Sequence, residues 1–152
     1  MPQFKDSEGV VWQVNITLGD VRRIRNLTGI DLLNAENPLE IYGSLIVRFE
    51  CVYLLCKDQA DQIGIGSFDE FATRLLDGVG LDANVAFQEA LVAFYHCLRL
   101  SAHEAIADES LKAMKEATTG MDKLAKDIRS AIKNSRPKLP GKPKRKGTGK
   151  TH

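Results

Sequence analysis

The chain has 152 residues, 43% of them apolar and 27% charged, which suits one globular domain with a real core and leaves too little for two. Its net charge of +1 conceals an asymmetry. Residues 1–134 carry 14 Lys and Arg against 20 Asp and Glu, a net −6, whereas residues 135–152 carry seven basic residues and no acid. The chain reads as an acidic body with a basic tail.

Three cysteines, Cys51, Cys56 and Cys97, are too few and too scattered for a disulfide scaffold, and their apolar helical context predicts reduced, buried thiols. The opening residues lack an apolar h-region, so no secretory signal is expected. Asn15-Ile-Thr17 and Asn26-Leu-Thr28 are then chance matches to the glycosylation sequon. The apolar run Ile41–Cys56 is shorter than the about 20 residues that a membrane span needs, and Arg48 and Glu50 interrupt it.

In chain order, residues 3–17 predict a β-hairpin. Gln3–Lys5 leads into the turn Asp6-Ser7-Glu8-Gly9. The second strand alternates, with Val10, Trp12, Val14 and Ile16 on one face and Val11, Gln13, Asn15 and Thr17 on the other. A lone hairpin is marginal in water, so the Trp12 face must pack on the helices, and either edge is free to accept another strand.

Thr17 with Asp20 forms a capping box that starts a helix to Thr28, with Val21, Ile24 and Leu27 inward and Arg22, Arg23 and Arg25 facing solvent. Gly29 stops it. Asn37 and Pro38 then open what reads as a single core helix to Cys56, apolar in nearly every direction and therefore buried on most sides. Ser67-Phe-Asp-Glu70 caps a further helix through about Asp77, ended by Gly78-Val-Gly80, and Asp82 caps the next. Phe87, Leu91, Phe94 and Leu98 make that helix's stripe. From residue 101 a thinner stripe through Leu111, Met114, Met121, Leu124, Ile128 and Ile132 extends to about Asn134, as one helix or two, with Gly120 marking a break. From 135 onward proline, glycine and positive charge leave nothing to offset chain entropy, and disorder is expected.

The expected fold is α+β, predominantly α-helical. A single domain over 1–134 has its hairpin at about 3–17 packed on a helical bundle at about 18–134, and residues 135–152 form a disordered basic tail.

No catalytic constellation stands out, and no enzyme activity, cofactor or metal is expected. Gly147-Thr-Gly-Lys-Thr151 imitates a phosphate loop, but Lys144 occupies the place of its first glycine. Gly64-Ile-Gly66 has neither the strand before it nor the third glycine after it that a nucleotide loop requires. His96 and His103 are seven residues apart, whereas zinc on one helix takes ligands three or four apart; they read as surface histidines beside a buried Cys97. The tail can bind phosphate backbones by counterion release, though it lacks aromatic residues for stacking on bases.

The stretch Phe4-Lys-Asp-Ser-Glu-Gly-Val-Val-Trp12, with Val21-Arg-Arg-Ile-Arg25 and Gly29-Ile-Asp-Leu-Leu33, resembles small proteins of tailed bacteriophages and prophages, in the group of tail assembly chaperones and their relatives. Leu54-Leu-Cys-Lys-Asp-Gln-Ala60 and Ser67-Phe-Asp-Glu-Phe71 fit the helical bodies of that group. The resemblance covers about residues 4–100. It implies a non-enzymatic protein of the bacterial host cytoplasm that binds the tape measure protein and helps it collect tail tube subunits. The candidate contact residues are Trp12 on the hairpin, Arg22, Arg23 and Arg25 on the first helix, and Lys142, Lys144, Arg145 and Lys146 in the tail. A second copy of the chain is a further candidate partner, nucleic acid a lesser one through the tail, and a membrane is not expected. The alternatives are a structural phage component, such as a head–tail connector or tail-completion subunit, and a small nucleic-acid-binding protein.

Overall fold

The computed structural model describes residues 1–34 and 39–135. It is a predominantly helical α+β protein with one antiparallel two-stranded hairpin at its N-terminus. Two compact units divide it, residues 1–117 and the remainder from 118.

In the first unit, β1 (Gln3–Lys5) pairs with β2 (Val11–Gln13), placing Phe4 opposite Trp12. The alternation continues past the ladder: Trp12, Val14 and Ile16 are buried, while Val11, Gln13, Asn15 and Thr17 are exposed. The turn closes with Gly9 at φ 88°, a conformation that costs a residue without Cβ little. The Trp12 ring stacks along Phe4 and meets Phe71 edge-on at 5.1 Å between centroids, and Tyr53 also packs against Phe71.

α1 (Leu18–Thr28) begins at the expected capping box. The Thr17 hydroxyl accepts from the Asp20 amide, and the Asp20 carboxylate accepts from the Thr17 amide at 2.9 Å. Its buried residues are Val21 and Ile24, but Leu27 is 66% exposed. At about 100° per residue, Leu27 sits some 120° round from Val21, while Thr28 returns beneath it. The apolar stripe therefore ends one turn earlier than the expected triplet.

The single core helix is broken. α2 (Leu39–Tyr42) ends before Gly43-Ser44, and α3 (Leu45–Leu55) starts anew, with the Ser44 hydroxyl accepting from the Val47 amide. Gly is a poor helix interior and Ser a good cap, so this pair outweighs the apolar run around it. The expected start at Asn37 and Pro38 lies outside the described residues. Nor is α3 buried on most sides: Cys51, Val52 and Tyr53 are, but Leu45 and Ile46 are exposed. α4 (Lys57–Gln62) and α5 (Phe68–Thr73) are short, α5 capped by the Ser67 hydroxyl on the Glu70 amide as the sequence predicts, and it ends four residues before Asp77.

The helix enclosed on most sides is α6 (Val79–Cys97), where ten of 19 residues are buried. It begins at Gly78 in the left-handed region, φ 84°, rather than at Asp82, which falls in its first turn. Gly80 lies inside this helix because the Phe49 ring rests on it. A Cβ there would come within 2.9 Å of Phe49 Cζ. The glycine pair that reads as a stop is thus a start and a close-packing point between α3 and α6.

Leu98–Leu100 turns the chain, with Arg99 at φ 57°, and α7 (Ser101–Ser135) follows as one helix straight through Gly120. Within the first unit it contributes buried Ala107 and Leu111. No helix among the described residues is long and apolar enough to cross a membrane. The expected tail, apart from Ser135, lies outside the described residues.

Candidate interaction surface

The polar groups of the N-terminal region are bound up in structure. The Asp6 carboxylate, its side chain fully buried, accepts from Trp12 Nε1 at 2.9 Å, from the amides of Glu8 and Val10 at 2.9 Å each, and from Arg74 Nη1 at 3.1 Å. Burial pushes its pKa up, but the four hydrogen bonds outweigh that and hold it below the ordinary value of 3.8. Arg74 also pairs with Glu8 at 3.0 Å, and its carbonyl accepts from the Ser7 amide. One guanidinium therefore locks the hairpin turn onto the segment after α5.

This geometry decides the role of Trp12. Its side chain has no exposed surface, and its one polar atom is satisfied internally. It is a packing residue of the core, not a surface for a partner. The outer edge of β2 is likewise covered. Gln59 Nε2 donates to the Val11 carbonyl at 2.6 Å, and Gln59 Oε1 accepts from the Gln13 amide at 3.3 Å. A single side-chain amide from α4 takes the two positions that an added strand would use, so the β2 edge is not free as the sequence alone suggests.

The three arginines of α1 separate. Arg23 is half-buried; its Nη2 reaches Asp20 at 3.0 Å and donates to the Leu54 carbonyl, tying α1 to the end of α3. Arg22 and Arg25 are exposed. Two shallow grooves meet at Leu27, one lined by Gly19, Arg22, Arg23 and Asn26, the other by Thr28, Glu50, Tyr53, Leu54 and Phe68. Leu27 with Tyr53, Leu54 and Phe68 offers apolar area, and Arg22 and Arg23 line the groove that meets it with permanent positive charge. Arginine forks suit carboxylates, and the apolar floor suits aliphatic or aromatic side chains. Lys142, Lys144, Arg145 and Lys146 lie outside the described residues.

The cysteines are free; Cys51 and Cys56 are buried, and burial pushes both thiols up to about 12. Cys97, expected to be buried, is exposed, because the last turn of α6 carries it out of the core. His96 and His103 diverge: His96 is exposed against Glu104, and His103 is hydrogen-bonded to the Leu33 carbonyl at 2.8 Å.

The chain matches no protein-family model, no curated protein and no solved structure. Chemistry alone therefore speaks for the surface. Leu27 and the groove of Tyr53, Leu54 and Phe68 were not foreseen, since Leu27 reads as core and the others as interior of one long helix or cap. The available signal was the 60° shift, on each step of three residues, between Val21, Ile24 and Leu27.

Proposed function

We propose that this protein acts by reversible binding to other proteins, as a tail assembly chaperone of a phage or prophage, engaging the tape measure protein and tail tube subunits in the host cytoplasm. The observation that carries this reading is the open, apolar and basic surface at Leu27, where a groove lined by exposed Arg22 meets one lined by Tyr53, Leu54 and Phe68. A chaperone for a long, aggregation-prone client needs such a surface: apolar enough to shield the client's apolar segments, charged at its rim for orientation and release. The stretches that carry the resemblance, among them Phe4–Trp12, Val21–Arg25 and Gly29–Leu33, include the hairpin and α1 itself.

The test is capture of a phage tape measure protein by wild type and by the double variant Arg22→Glu with Leu27→Asp. Wild type should retain the client at low and moderate salt, and the variant should bind at least about tenfold more weakly, since a rim charge is reversed and a charge is set into the apolar floor. Absence of capture at low salt would refute the proposal. The alternative of a structural phage component would be favoured by the protein's stoichiometric presence in purified virions.

A further inference from the structure

From Met121 to Ile132, α7 carries a run of large apolar side chains turned to solvent: Met121 is 71% exposed, Leu124 57%, Ile128 50% and Ile132 56%. Their spacings of three, four and four residues keep them on one side of the helix. Written as heptads, Met121 and Ile128 occupy d, Ala125 and Ile132 occupy a, and Leu124 and Ala131 flank them at g. The segment from 118 to 135 spans about 26 Å. A helix of this length is marginal in water without a packing partner, and Gly120 within it is among the poorest helix formers. The helix nevertheless continues through Gly120 to Ser135.

The charges beside the seam point to its occupant. Position e holds Asp122 and, one heptad later, Arg129; neither forms an ion pair among the described residues. In a parallel pair each would face position g, which carries Leu124, Ala131 and no charge here. In an antiparallel pair e faces e, and Asp122 of each copy meets Arg129 of the other. The same alignment sets Met121 against Ile132 and Ala125 against Ile128, with Leu124 against Ala131, so large residues oppose small ones in two of three pairings.

We propose that residues 118–135 form an antiparallel two-helix seam with the same segment of a second copy of this chain. The two-fold axis crosses between Lys126 and Asp127, and the Asp122–Arg129 pairs fix the direction. This dimer is independent of the client surface on α1, so either can fail alone.

The experiment is sedimentation equilibrium of the full chain across a wide concentration range. The expected result is a reversible monomer–dimer equilibrium, weakened more than about 100-fold by Ile128→Asp, which introduces two charges into the seam. Near-ultraviolet circular dichroism from Trp12 should stay unchanged, showing that the first unit is folded. Asp122→Arg and Arg129→Asp, both exposed beside the seam, should each weaken the dimer about tenfold. Mixing these two variants should restore association as a mixed dimer, because every e–e contact is then again of opposite charge. A chain that stays monomeric, or a dimer unaffected by Ile128→Asp, would overturn the proposal. So would charge variants that associate like wild type and show no preference for each other. Monomers that instead bind lipid vesicles or an unrelated protein through the stripe would also overturn it and assign the face to that occupant.

Discussion

The hairpin strand and the distal part of α7 carry equally regular apolar patterns, one with period two and the other with a near-heptad period, and they end in opposite environments. Trp12, Val14 and Ile16 are all inside; Met121, Leu124, Ile128 and Ile132 are all outside. Periodicity states which side chains share a face. It does not state what lies opposite. The difference shows in the polar groups nearby. Around the hairpin, Asp6, Arg74 and Gln59 satisfy the turn and the strand edge from residues distant in sequence. Such tertiary anchors require a fixed neighbour.

Removing the strongest anchor breaks the contrast most severely. In Asp6→Asn, one oxygen still accepts from Glu8 and Val10, but the new amide NH2 faces the Trp12 and Arg74 donors. The expected loss is about 3 kcal/mol, because a buried pair is broken and donors are left opposed; urea unfolding followed by Trp12 fluorescence measures it. The same carboxylate gives a pH signature. Its folded pKa lies below 3.8, so its stabilisation is complete above the unfolded value and fades as pH falls through the folded one. The gap between wild type and Asp6→Asn should therefore narrow on acidification below about pH 4. A gap independent of pH would mean that the carboxylate's charge is not what holds the turn.

Much of this architecture was legible in the sequence where the signal is local. The Thr17–Asp20 and Ser67–Glu70 caps, the Gly29 stop and the Trp12 alternation depend on neighbours within a few residues. Most of what failed was decided at a distance, the local Gly43-Ser44 break excepted. Gly80 reads as a terminator, yet it sits in α6 because Phe49 needs the space. The apolar girth of residues 41–56 suggested the central helix, but the Gly43-Ser44 break divides it, and α6 takes the centre instead. On the candidate surface, Arg22 and Arg25 were legible, since exposed charge is the default for arginine. Arg23 was not, because its tie to the Leu54 carbonyl joins residues 31 apart. Trp12 was legible as a residue needing cover but not as one without any surface to offer.

A milder change tests whether the strand edge is truly closed. Gln59→Ala removes both side-chain bonds to β2 and leaves the Val11 carbonyl and Gln13 amide to water. The expected cost is about 1 kcal/mol, the net value of exposed hydrogen bonds, with faster amide exchange at Gln13. Unchanged exchange there would show that something other than Gln59 covers the edge.

The smallest effect has the opposite sign and belongs to the distal helix. A Cβ added at Gly120 meets nothing within 4 Å, and the heptad places this residue at position c, away from the proposed seam. Gly120→Ala should therefore stabilise α7 locally by about 0.5–1 kcal/mol, through lower backbone entropy in the unfolded helix and better helix propensity. Far-ultraviolet circular dichroism and amide exchange over residues 118–135 should register the gain, while the Trp12 unfolding midpoint stays where it is. If the helix pairs through its a and d positions, the same substitution should also tighten self-association by up to about fivefold, since pairing draws on the helical population. Weaker association would mean that the backbone at residue 120 is closely approached in the assembly, and would move the seam from the Met121–Ile132 face to the one that contains Gly120.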